Sequence, residues 1–113
     1  MENSNPLIEL LFAERIVINK KLARKIGLNE AIVYSELLSK YLDFEKSGEL
    51  EDGYFCNTIE ELEEETTLSV YQQRKAISNL VKQGFITYQL QRIPAKRYFK
   101  ILKNEEKFKE IFK

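Results

Sequence analysis

Hydrophobic positions along this chain change rhythm several times, and the changes mark out its elements. Ile59 and Leu62, then Ala76, Ile77, Leu80 and Val81, recur at the three- to four-residue spacing of helices that bury one stripe. Thr58 and Ser69 stand just before these stripes, and each is followed three residues on by Glu61 or Gln72. That spacing predicts two capping boxes, in which a side chain and a backbone N–H at each helix start satisfy one another. Two capped helices a few residues apart, Ile59–Glu65 and Val70–Gln83, predict a helix-turn-helix. Gly84 closes the second helix. The rhythm then turns β-rich: Phe85–Leu90 and Arg97–Leu102 read as strands, and Gln91–Lys96 between them as a basic loop, or wing.

Upstream, Leu7, Ile8, Leu10, Leu11 and Phe12 predict a short helix that packs on the domain or on a second copy of it. The β-branched run Ile16-Val17-Ile18 reads as a strand completing a small sheet. Asn19–Ile26 reads as a helix stopped by Gly27. A longer helix follows to about Glu45, with Asn29 as its cap and Leu28 stapled to Val33. It is apolar round most of its circumference, so it is expected to be buried on more than one side. Glu45–Gly53 is a loop, and Tyr54-Phe55-Cys56 a short strand. Asn104–Lys113 is an amphipathic end carrying Phe108, Ile111 and Phe112.

Composition excludes much chemistry. With 113 residues the chain is expected to form one domain. It has no histidine and one cysteine, so it lacks an internal disulfide, the common zinc ligand sets and any Ser-His-Asp or Cys-His arrangement. Its four glycines are scattered rather than gathered into a phosphate-binding loop. No cofactor and no enzymatic activity are expected. The absence of a long apolar run and the polar start Met1–Pro6 predict a cytoplasmic protein without membrane contact.

Charge changes the picture more. The overall balance is zero, but residues 1–69 carry seven Lys/Arg against fifteen Asp/Glu, and residues 70–113 carry eleven against three, or −8 and +8. The basic half begins where the second helix of the motif begins. This predicts a surface for a polyanion, the alternative being charge pairing within or between copies of the chain. On Val70–Gln83 the outward or flanking residues are Tyr71, Gln72, Arg74, Lys75 and Ser78. Arg and Lys serve phosphates or guanine edges, Gln serves adenine, and Tyr packs on sugar or a thymine methyl. Arg92, Lys96 and Arg97 of the wing are expected on the phosphate backbone. The bland alternatives are a solvated helix and a hairpin tip edged with charge. Against the polyanion stand five glutamates between Glu60 and Glu65, which would repel phosphate unless their face points away.

The segments Leu22–Ile32, Thr58–Leu62, Leu68–Ile77, Leu80 and Gly84–Ile86 resemble the winged-helix domains of phage and plasmid replication proteins of low-GC Gram-positive bacteria, among them initiators and replisome organisers. The resemblance spans roughly Ile16–Ile101, and Leu22–Ile32 is its most discriminating part. It implies double-stranded DNA as the ligand, a homodimer, and contact with replication proteins through a further domain.

The expected fold class is therefore α+β, mostly α: a winged helix-turn-helix with a small antiparallel sheet over 16–102. A helical extension is expected at 1–15, and a helix or the start of a linker at 103–113. The expected function is sequence-selective duplex DNA binding in replication initiation. A winged-helix transcription regulator and a protein-interaction module that binds no DNA are the rivals.

Overall fold

The computed structural model describes residues 5–92 and 94–113, without the side chain of Arg92. Six helices and three strands follow in the order α1 (Pro6–Ala13), α2 (Lys20–Ile26), α3 (Leu28–Ser47), β1 (Tyr54–Cys56), α4 (Ile59–Thr66), α5 (Val70–Lys82), β2 (Ile86–Arg92), β3 (Ala95–Ile101) and α6 (Glu105–Ile111). The fold is α+β and mostly helical, with one small antiparallel sheet ordered β1-β3-β2.

The core lies where α3 meets α2, α5 and the inner face of the sheet. Ala31, Val33 and Leu37 of α3, Leu62 of α4, Leu80 of α5 and Phe99 of β3 are all but inaccessible to water. Phe85, just after α5, meets Tyr34 edge-on with ring centroids 5.7 Å apart. Phe108 of α6 packs on that same Phe85 at 5.5 Å, so the C-terminal helix docks on the core. Alternation along β3 puts Arg97, Phe99 and Ile101 inside and their neighbours outside.

Three expectations give way. Ile16–Ile18 forms no strand, and Val17 is 72% exposed. β3 is flanked by β1, through Phe55 opposite Phe99, and by β2, so both of its edges are filled without an earlier strand. Asn29 is not a cap: α3 starts at Leu28 directly from Gly27, whose φ of 107° makes a one-residue joint after α2, and Leu28 is exposed rather than stapled. The wing is also shorter than Gln91–Lys96. Pairing continues to Arg92 opposite Ala95, and the missing N–H of Pro94 falls beyond the last rung, where no ladder bond needs it. Ile93 lies outside the described residues.

Candidate nucleic-acid interface

Both helices of the central motif begin with the capping boxes their spacing predicts. Glu61 N–H donates to Thr58 Oγ1 at 3.1 Å, and Thr58 N–H donates to Glu61 Oε1 at 2.9 Å. At the second box Gln72 N–H donates to Ser69 Oγ at 3.2 Å, and Ser69 N–H to Gln72 Oε1 at 2.9 Å. Holding the donor at Thr58 keeps the Glu61 carboxyl below its usual range. Between the helices the chain reverses at Thr67, which takes the left-handed conformation at φ 64°. Thr66 stabilises that turn: its hydroxyl donates to Leu62 O and accepts from Leu68 N–H.

A buried polar cluster then joins this motif to the hairpin. Gln73 is fully enclosed, and its Nε2 donates to Ile59 O at 3.2 Å and Leu68 O at 3.0 Å. Its Oε1 accepts from Arg97 Nη2 at 3.0 Å. Arg97 Nε donates to Asn57 O, and the guanidinium lies 5.5 Å over the Phe99 ring. Burial lowers the pKa of Arg97, opposed by Tyr88 and Glu60. A guanidinium remains charged in such a setting. The cluster links β3, α5, the start of α4 and the turn, so the angle between α5 and the hairpin is fixed by hydrogen bonds as well as by packing.

The predicted contact residues therefore separate into distinct places. Tyr71, Gln72, Arg74, Lys75 and Ser78 are all exposed on α5. Taken round the helix, Tyr71, Lys75 and Ser78 form its outermost stripe, and Lys82 continues that stripe one turn on. Tyr71 is 72% exposed. Arg74 stands on the flank that faces the hairpin, with Ser78 and Lys82, along a groove of about 530 Å³ walled by Ile77, Val81 and Tyr88. Gln72 and Lys75 border the opposite flank, next to the start of α3. The Gln72 carbonyl oxygen is held by the capping box, leaving its amide nitrogen to reach outward.

The hairpin contributes less than expected. Arg97 is a correction: at 5% exposure, and bonded to Gln73 and Asn57, it is a core residue rather than a wing contact. The reason is strand parity, which aligns it with Phe99 and Ile101. Lys96 is exposed, but parity places it on the reverse face of the ribbon from Arg97, beside the hairpin tip. The side chain of Arg92 lies outside the described residues.

The acidic residues are also sorted by the fold. Among the described residues the one ion pair within 4 Å joins Lys40 to Glu65, at 2.8 Å. Donating a hydrogen bond to the Glu65 carboxylate raises the pKa of Lys40. Glu61, Glu64 and Glu65 line a cleft with Arg15, Glu36 and Lys40 on the α3 side of α4. Burial, and then Glu65, raises the pKa of Glu36 there. Glu60 instead borders a smaller cleft with Arg74, Tyr88 and Arg97. Three of the five glutamates are thus turned toward α3, and one stands next to the basic flank of α5.

Sequence reasoning missed Lys82 and Tyr88. Lys82 was legible, since 71, 75, 78 and 82 are successive positions on one helix face. Tyr88 was not, because its role depends on how the hairpin folds back over α5. No protein-family model, curated protein or solved structure matches this chain.

Proposed function

We propose that this chain is a winged helix-turn-helix protein that binds duplex DNA with α5 in the major groove. The observation that carries the reading is the exposed face of α5. Arg74, Lys75 and Lys82 reach solvent there with no carboxylate of the described residues within 4 Å, and Tyr71 projects from the outermost stripe. Cations on a rigid helix are positioned for phosphates and guanine edges, and the outward amide nitrogen of Gln72 for an acceptor such as a purine N7. Lys96 at the hairpin tip adds a backbone contact. Arg97 acts from inside, holding α5 against the hairpin through Gln73. The resemblance of Leu22–Ile32 to replication proteins of phages and plasmids favours replication initiation as the setting of this binding.

Selection of bound fragments from a sheared phage or plasmid genome with the purified protein tests the reading. Enrichment of one site within an origin or beside a replication gene is expected. Enrichment of promoter sites would make the protein a transcription regulator instead. No enrichment of any duplex would leave the interaction-module reading, which Glu60 beside the basic flank favours.

A further inference from the structure

The sheet has an outer face as well, and its chemistry differs from that of α5. Strand parity turns Tyr54 of β1, Thr87 and Gln89 of β2, and Lys96, Tyr98 and Lys100 of β3 away from the core. None of the three strands contains an aspartate or glutamate. Neither lysine has a carboxylate of the described residues within 4 Å.

The rings on this face are placed by the sheet. Register puts Tyr54, Lys100 and Thr87 in one row across the three strands. Tyr54 Oη accepts from Thr87 Oγ1 at 3.1 Å and from Gln89 Nε2 at 3.4 Å. Thr87 is two strands away, so the Tyr54 ring lies across β3 and is held at its far end. Lys100 Nζ stands 5.7 Å from the centre of that ring. Tyr98, half-buried and opposite Gln89, is the next outward residue of β3. The two tyrosines are diagonal neighbours, roughly 7–8 Å apart along the sheet. At the β1 edge burial and then Glu61 raise the pKa of Cys56, opposed by Lys96. The acidic helix α4 therefore bounds the platform on that side.

Aromatic rings interleaved with lysines on a sheet fit a ligand that alternates flat faces with negative charge. Bases and phosphates do so, and a duplex hides its base faces in the stack, so the match is to an unpaired strand. We propose that the outer face of this sheet binds single-stranded nucleic acid, with bases stacked on Tyr54 and Tyr98 and a phosphate on Lys100. Pinning the Tyr54 ring beforehand lowers the ordering cost of the stack. Gln89, exposed between the two tyrosines, adds an amide for a base edge. Lys96 at the hairpin tip borders both this face and the α5 side. The site lies on the reverse of the hairpin from α5 and stands independently of duplex binding there.

Fluorescence anisotropy of a labelled thymidylate dodecamer, and of a uridylate one, tests this on the full chain, with circular dichroism as the control for folding. Binding of at least one strand is expected, and the stronger of the two identifies the sugar. With Lys100 and Lys96 as the cations, log affinity should fall against log salt with a slope of about −1 to −1.5. Tyr98→Ala should weaken binding at least fivefold, and Tyr98→Phe should retain it, since the stack needs the ring and not the hydroxyl. Lys100→Glu should weaken it severalfold as well, which keeps the test decisive should Tyr98→Ala lose its fold. Arg74→Ala/Lys75→Ala should leave single-strand binding unchanged. Neither strand bound, or binding that survives both Tyr98→Ala and Lys100→Glu in folded chains, would overturn the proposal. So would loss of single-strand binding in Arg74→Ala/Lys75→Ala, which would place the strand on α5. A chain that binds the single strand through Tyr98 and binds no duplex would keep this site and remove the other.

Discussion

Helices α4 and α5 begin alike and end as opposites. Each opens with a capping box, each buries one stripe in the same core, and Gln73 ties one to the other. Yet α4 exposes glutamates and α5 exposes Tyr71, Arg74, Lys75, Ser78 and Lys82. Local folding signals and surface charge are therefore independent here. The caps and apolar stripes specify a helix-turn-helix, while the outward residues divide it into a face that attracts a polyanion and a face that repels one. The fold keeps the two apart by turning Glu61, Glu64 and Glu65 toward Lys40 and Arg15.

The feature the two helices share should be the most costly to break. Arg97→Ala removes the donor to Gln73 Oε1 and strips the clamp between α5 and β3. Loss of about 2–3 kcal/mol in urea unfolding is expected, because a buried acceptor is left unpaired. Arg97→Lys should recover little of it, since a single ammonium does not reproduce the fork of donors. Stability unchanged by either substitution would show that the cluster does not hold the motif together.

The caps offer a finer comparison. Ser69→Ala and Thr58→Ala should each cost about 1 kcal/mol. Their pH responses should differ, because only the Thr58 box contains a carboxylate. Glu61 has a lowered pKa in the folded chain. Its contribution is therefore present above the unfolded glutamate pKa and lost as pH falls through the folded value. Glu61→Gln should flatten the acid limb of the stability profile, and Gln72→Ala should leave its shape unchanged. Thermal melts across acidic pH measure both.

The smallest effect sharpens the contrast in charge. Glu60 is the glutamate that borders the cleft with Arg74. Glu60→Gln should tighten duplex binding by about threefold at low salt, an effect that screening removes at high salt. Glu64→Gln, on the α3 side, should change binding less. Equal effects from the two would mean that the acidic face is not divided as described.

Much of this arrangement is legible in the sequence. Both caps, the span of α5 to within a residue, the hairpin and the strand at Tyr54 follow from local spacing, and local spacing governs them in the fold. The misses are positions where a distant partner decides. Ile16–Ile18 has the residues of a strand, but β3 already has β1 on one side and β2 on the other. The charge of Arg97 suggests a wing residue, although alternation with Phe99 and Ile101 points it inward. Its acceptor, Gln73, lies 24 residues away and carries no signal in the sequence around the hairpin. The groove beside Arg74 likewise exists only once Tyr88 folds over α5.

Salt titration of duplex binding, with the unmodified chain and Arg74→Ala/Lys75→Ala side by side, tests the central claim most directly. With Arg97 in the core, four cations among the described side chains are assigned to phosphates: Arg74, Lys75, Lys82 and Lys96. Plotted as log affinity against log salt, the unmodified chain should fall with a slope of about −3 to −4. The double variant should bind at least tenfold more weakly and lose about two units of that slope. A double variant with the same affinity and slope as its parent, at unchanged stability, would contradict the assignment of DNA binding to α5.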